Sequence, residues 1–300
     1  MAVAVAIATS VGSQQTFRVG VDAVRVDVLV TDGNRPVGGL TADDFELRDS
    51  GVRQHIEAVD LGDVPLSVML ALDTSVSVWG QPLVNLKEAA SAVVGLLTPA
   101  DRAAVLTFSG ALQLKASWTS DRLRLNGAVS AARATGATSL HDAAYAALML
   151  RDDRPGRALV LIFSDGADTA SWLPGQSVID VARRSDAVVY TVGLPQPGVR
   201  GPGFRLDFRS GVQPPVPRIA GPAVLEPFLN ALADETGGTY IDAQRSDRLR
   251  ETFVRIVTEF RSRYLLTYTP KGVDAGGWHP IEVRLKNKKG RVTARRGYLR

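Results

Sequence analysis

The chain has 300 residues, 45% hydrophobic and 22% charged, with Gly and Pro at ordinary levels, a composition that excludes a disordered, collagenous or coiled-coil protein. No cysteine is present, so thiol nucleophiles, zinc–thiolate sites, iron–sulfur clusters and disulfides are excluded together, and a metal must rest on oxygen or imidazole ligands. The net charge is +4, but residues 284–300 carry eight basic side chains and no acidic one, and the remainder of the chain is net −4.

Residues 1–18 open on an apolar, small-residue stretch from Met1 to Val11, followed by Ser10, Gly12 and Ser13. It resembles the second half of a secretory signal without a basic n-region, so it is expected to be either an export signal or a disordered tail. Zero cysteine fits either compartment, and export makes the expected location extracytoplasmic, secreted or periplasmic. From Val19 to Val30 apolar and polar residues alternate, which predicts a strand with one buried face. Asp32-Gly33-Asn34-Arg35-Pro36 supplies turn chemistry, and Phe45–Arg48 before Asp49-Ser50-Gly51 reads as a second short strand and turn.

The texture changes at Pro65. Leu66–Leu72 is a continuous apolar run ending on Asp73, which suits a parallel strand buried on both faces. Similar runs recur at Ala103–Phe108, Ala158–Phe163, Ala187–Val192 and, more weakly, Thr239–Ile241. Amphipathic helical patterns separate them at Leu83–Leu97, Arg122–Ala134, Leu140–Leu150, Val178–Ser185, Leu225–Glu235 and Leu249–Arg261. Phe253 and Phe260, seven residues apart, read as a core stripe of the last helix. This alternation predicts an α/β fold, a doubly wound and mostly parallel sheet over 64–262, with Leu112–Trp118 as an antiparallel edge strand. Residues 195–222 are a long excursion, with 12 of 28 positions Pro or Gly. After Arg263 the β pattern returns at Tyr264–Thr269, Ile281–Lys286 and Arg291–Arg295. The two ends therefore predict one small β-sandwich-like domain from 19–62 plus 264–300. The basic residues alternate with Ile281, Val283 and Leu285, so they read as a solvated strand face, not a nucleic-acid site. No apolar run is long enough for a transmembrane helix.

In an open α/β sheet, ligands sit beyond the carboxyl ends of the strands. The first apolar strand ends in Asp73-Thr74-Ser75-Val76-Ser77, the fourth in Ser164-Asp165-Gly166-Ala167-Asp168, and Gly136-Ala137-Thr138-Ser139 opens the helix between them. Taken singly, Asp73 and Ser75 read as helix N-caps, Thr138 as the cap of the Leu140 helix and Asp165-Gly166 as a turn. Asp168 reads as a surface turn, Asp142 as a residue of the first helical turn, and His141 as packing or solvent-facing. Trp79 and Trp172 are each either a rim contact for a ligand or a packing staple. Together, Asp73, Ser75, Ser77, Thr138 and Asp165 offer a hard divalent cation hydroxyls and carboxylates, too few to close its shell. Such an ion would accept an anionic oxygen from a partner's Asp or Glu.

The set Asp73-x-Ser75-x-Ser77, Thr138 and Asp165-Gly166 resembles the metal-ion-dependent adhesion site (MIDAS) of von Willebrand factor type A (VWA) domains, over about residues 64–262. Leu40-Thr41-Ala42-Asp43-Asp44-Phe45 and Ser164–Ser171 resemble more narrowly the bacterial VWFA-related proteins. Val76-Ser77-Val78 stands where many members have Gly-Ser-Met. The resemblance implies a doubly wound fold, Mg²⁺ (or Mn²⁺ or Ca²⁺) as cofactor, and a non-catalytic module that grips a partner carboxylate. The alternative is a scaffold that binds through its β-domain and basic C-terminus, with the metal only stabilising. Enzyme signatures are missing: Phe163-Ser164-Asp165-Gly166 is no nucleophile elbow, no Walker lysine follows a glycine loop, and Ser75 stands where an aspartyl phosphatase needs a second aspartate.

Overall fold

A computed structural model describes residues 23–33, 35–62, 64–164, 168–193, 225–243 and 245–300. The expected signal or tail (1–18), the Pro/Gly excursion at 195–222 and Asp165 lie outside the described residues.

Strands β1 (Val24–Asp32), β2 (Arg35–Pro36), β3 (Phe45–Asp49), β4 (Val52–Gln54) and β5 (Ala58–Leu61) come first. The α/β portion follows in the order β6 (Leu66–Asp73), α1 (Gln81–Leu96), β7 (Arg102–Phe108), β8 (Leu112–Thr119), α2 (Arg122–Ser130), α3 (Leu140–Met149), β9 (Arg157–Ser164), α4 (Gly175–Ala182), β10 (Val188–Gly193), α5 (Leu225–Thr236), β11 (Tyr240–Asp242) and α6 (Leu249–Arg261). The chain closes on β12 (Tyr264–Tyr268), β13 (Trp278–Leu285), β14 (Arg291–Thr293) and β15 (Gly297–Leu299).

The central sheet has the order β11-β10-β9-β6-β7-β8, parallel except for β8, which pairs antiparallel with β7 at the edge. Every residue of β6 is buried, as its unbroken apolar run requires. Its side chains divide by parity: Val68, Leu70 and Leu72 join a core with α1, α2 and α6, while Met69 and Ala71 join one with α3, α4 and α5. The fold is thus doubly wound. β6 has β7 on one side and β9 on the other, so the direction of winding reverses between β6 and β9, and a crevice opens at their carboxyl ends.

The outer strands form two further sheets, β14-β1-β12-β5, with β2 on β1, and β15-β13-β3-β4. Between them lies a third core, with Val26, Val28 and Val30 from β1, Phe45 and Leu47 from β3, and Tyr264, Leu266 and Tyr268 from β12. Neither end of the chain supplies a complete sheet: β1 lies between β14 and β12, and β3 pairs with β13.

This β region meets the amino-terminal edge of the parallel sheet, opposite the crevice. Arg157 at the start of β9 donates from Nε to Asp27 of β1 at 2.7 Å and from Nη2 to the Phe260 carbonyl at 3.1 Å. Arg25 reaches Asp186, just before β10, at 2.7 Å. Arg263, fully buried, donates to the Gly237 carbonyl at 2.7 Å and to the Tyr190 hydroxyl at 2.8 Å. Four of the eight C-terminal basic side chains are already committed: Arg284 to Glu282, Lys288 to Asp44, Arg296 to Asp234, and Arg295, which is buried, to the Arg183 and Gly297 carbonyls.

Of the boundaries that differ from expectation, α4 lies three residues earlier than Val178–Ser185 and β13 starts at Trp278, and two others have a plain cause. The α2 helix stops at Ser130, short of Ala134, because the chain turns into the crevice, where the Thr135 amide donates to the Thr74 carbonyl at 2.7 Å. The final strand is Gly297–Leu299, not Arg291–Arg295; β14 pairs with β1 in one sheet, and after the buried Arg295 the chain crosses to pair with β13 in the other.

Candidate functional site

The crevice is built by loops that bond to one another. Asp73, the last residue of β6, is fully buried, and its Oδ1 accepts the Ser75 amide at 2.8 Å while Oδ2 accepts the Ser164 hydroxyl at 2.6 Å. The ends of the two strands that flank the reversal are therefore tied through one carboxylate. Thr74 is held by the Phe108 carbonyl at the end of β7, which accepts its amide at 2.7 Å and its hydroxyl at 3.0 Å. The Val76 amide donates to the Gly136 carbonyl at 3.0 Å, and Gly136 has the positive φ of 68° that lets the loop fold back there.

Ser75 and Ser77 sit on one short 3₁₀ turn over Val76–Val78, with their hydroxyl oxygens 2.9 Å apart. Ser75 is buried and Ser77 exposed. Thr138 is buried and its backbone is stitched to the loop after β9: its amide donates to Thr169 Oγ1 at 3.0 Å, and its carbonyl accepts the Thr169 and Ala170 amides at 2.8 and 3.0 Å. Asp73, Ser75, Ser77 and Thr138 all belong to the loops that line this crevice. The fifth member of the expected set, Asp165, lies outside the described residues.

Three residues have parts that local sequence did not assign. Asp168 is no plain surface turn: its Oδ1 accepts the Leu140 amide at 2.8 Å, the His141 amide at 3.3 Å and the Ser171 hydroxyl at 2.5 Å. It caps α3 from another loop, which explains why neither Thr138 nor the N-cap Ser139 does so with its side chain. Asp142 returns the contact, accepting the Trp172 and Leu173 amides at 3.0 and 2.9 Å. Ser164, part of the fourth-strand motif but not of the expected set, orients Asp73. The one sequence signal for it is its place immediately before Asp165. His141 packs on Phe228, ring centroids 4.4 Å apart, with Nδ1 3.2 Å from the Leu173 carbonyl. Trp79 and Trp172 are 75% and 93% exposed, which excludes a packing staple for either.

A metal fits the chemistry of this donor set. Among the described residues no group of three or more His, Asp or Glu side chains is placed to hold an ion; what they offer in the crevice is the buried Asp73 carboxylate with the Ser75, Ser77 and Thr138 hydroxyls. Hydroxyls and carboxylates are hard ligands, suited to Mg²⁺, Mn²⁺ or Ca²⁺.

Residues 68–167 match the sequence profile of the von Willebrand factor type A domain. No curated protein sequence matches the chain. Among solved structures, a von Willebrand factor type A protein from Catenulispora acidiphila aligns over 90% of this chain and 75% of its own, at 14% identity and a TM-score of 0.53. Proximal thread matrix protein 1 of the mussel byssus, solved with a zinc-occupied MIDAS motif, aligns over 71% of this chain at 15% identity and a TM-score of 0.53. The aligned part is half of the mussel protein. At such identities these likenesses speak for the fold. The reversal point between β6 and β9, the helices on both faces and the profile match agree: the α/β portion of this chain has the von Willebrand factor type A fold, and its residues 68–167 match that family's profile.

Proposed function

We infer that the chain is a non-catalytic, metal-dependent protein-binding module. Asp73, Ser75, Ser77, Thr138 and Asp165 would hold a divalent cation, Mg²⁺ or alternatively Mn²⁺ or Ca²⁺, and a carboxylate of a partner protein would complete its shell. The observation that supports this reading is that Ser75 and Ser77, with hydroxyls 2.9 Å apart, follow the buried Asp73 at the reversal point of the sheet, and that the loop carrying Thr138 is bonded to theirs through the Val76 amide and the Gly136 carbonyl. When bound, the ion supplies a positive charge that mostly neutral ligands leave under-compensated, and so attracts an anionic oxygen. The chain's own part is to hold that cradle still. The Ser164 hydroxyl and Ser75 amide fix the Asp73 carboxylate, and the Thr169 and Gly136 contacts fix the two hydroxyl loops.

Binding away from the β region also fits, because that region occupies the opposite edge of the sheet. The reading through the basic C-terminus is weakened by the commitment of Arg284, Lys288, Arg295 and Arg296 to internal partners. Among the described residues no helix is long and apolar enough to cross a membrane. An extracytoplasmic location agrees with an adhesion-type role and with the apolar start of the chain.

An ion that binds only the folded state raises stability by RT ln(1 + [L]/Kd), about 2.7 kcal/mol at a hundredfold excess over Kd. The thermal midpoint should therefore rise in millimolar Mg²⁺, Mn²⁺ or Ca²⁺ relative to EDTA. Asp73→Ala should abolish the increment, and Thr138→Ala, which removes no core strand contact, should reduce it while keeping the EDTA midpoint. Equal midpoints with and without every metal would reject the site.

A further inference from the structure

The three stretches that frame the crevice, 73–82, 134–142 and 168–174, contain no Lys or Arg. Beside small polar residues such as Ser77, Thr135 and Thr169, they present large apolar side chains to solvent. Val76, Trp79 and Trp172 are 66%, 75% and 93% exposed, the tryptophans exceeding every other aromatic side chain among the described residues. Large aromatics left in water forgo burial worth having, and at binding surfaces they are the side chains that most often carry affinity.

These side chains stand on fixed backbone. The Trp79 amide donates to the Val76 carbonyl at 3.1 Å, closing the same 3₁₀ turn that carries Ser77. The Trp172 amide is held by Asp142 at 3.0 Å, in a segment that Asp168 and Thr169 join to α3 and to Thr138. Both aromatic rings thus project from turns whose positions are set by the candidate ligand loops. A side chain on a preset turn loses little chain entropy when a partner covers it.

Charge narrows the partner. The three stretches hold no Lys or Arg, and the Asp73, Asp142 and Asp168 carboxylates each accept hydrogen bonds from within the chain, so they offer a partner little for surface ion pairing. The anchor for an anion is the ion of the reading above, on which this inference rests. We propose that Val76, Trp79 and Trp172 form an uncharged apolar collar that selects, as partner, a protein segment presenting an Asp or Glu flanked by large apolar residues. The collar sets which carboxylate is taken; the cradle supplies the capture.

The test pans displayed random peptides on the immobilised full chain in millimolar Mg²⁺, elutes with EDTA, and measures the enriched sequences as synthetic peptides. Enriched peptides should hold an acidic residue with aromatic or large aliphatic neighbours. Their affinity should fall roughly tenfold with Trp79→Ala or Trp172→Ala, and recover largely with the Phe variants. EDTA-released acidic peptides without apolar neighbours, or with affinity indifferent to both tryptophans, would overturn the collar and leave the metal reading standing. Peptides that bind equally in EDTA would overturn the metal reading and the collar with it. Failure to enrich any peptide would reject a linear acidic segment as the partner.

Discussion

Asp49 shows how much a single buried side chain holds here. Fully buried at the end of β3, it accepts from Tyr268 and Tyr298 hydroxyls at 2.9 Å each, from the Ser50 hydroxyl at 3.0 Å, and lies 3.0 Å from His279 Nδ1. One carboxylate so joins β3, β12, β13 and β15, two sheets in all. Asp49→Ala leaves these donors without an acceptor inside the β core, a loss expected to cost about 3 kcal/mol, read as a fall in the denaturation midpoint. Burial first, then hydrogen bonding to Asp49, pushes the Tyr298 hydroxyl up to about 12 and raises Tyr268 as well. Raised phenols stay protonated in the folded chain while the unfolded chain releases its protons from pH 10 upward. Stability from this cluster is therefore complete below pH 10 and lost as pH rises toward 12. Alkaline melts should show that decline, and Tyr298→Phe should flatten it.

Among the elements, α3 depends on a neighbour for its start. Its N-terminal amides at Leu140 and His141 are satisfied by Asp168 from the loop after β9, and Asp142 of its first turn holds that same loop at Trp172 and Leu173. The reciprocal contact means that cap and loop are one unit. Asp168→Ala should cost about 1 to 2 kcal/mol in stability, the usual value of a lost N-cap, and should open the 168–174 segment to proteases. Unaltered cleavage there would show that the loop is held by other contacts. A second element-scale constraint is Gly238, between α5 and β11. A Cβ at this position would strike the Val189 carbonyl oxygen, which belongs to the backbone of β10 and has no side-chain freedom to yield.

The whole molecule is set by the closure of the β region from both ends of the chain. We propose that 19–62 and 264–300 act as one domain into which 64–262 is inserted. β12 lies between β1 and β5, so deleting 264–300 would strip the central strand from one sheet and β13 from the other, exposing Val26 and Val28. Proteolysis of the truncated chain should then cut within 23–62 while the α/β portion resists. The two parts are joined by the buried pair of Arg157 and Asp27, whose side chains are 1% and 7% exposed. Asp27→Ala alone leaves a buried guanidinium uncompensated and should cost about 3 to 5 kcal/mol, whereas replacing both by Met and Leu should cost far less. A double variant as unstable as the single one would show that the pair itself is required.

Much of this was legible in the sequence, and the reason is local. An unbroken apolar run such as Leu66–Leu72 has no solvated face to offer, so its burial between two helix layers follows from composition alone. The amphipathic period of Leu249–Arg261 likewise determines a helix with the bounds the structure has. Asp73, Ser75, Ser77 and Thr138 could be marked because they follow the ends of such runs, where an open sheet places its crevice. The edge strand Ala58–Leu61, the last strand Gly297–Leu299 and the early end of α2 were not legible. Each is decided by pairing or hydrogen bonding with segments far away in the chain. The capping of α3 by Asp168, the orientation of Asp73 by Ser164, and the outward placement of Trp79 and Trp172 likewise depend on which loops meet. No local pattern encodes that, because those meetings exist only once the sheet has assembled in the order that brings β6 and β9 side by side.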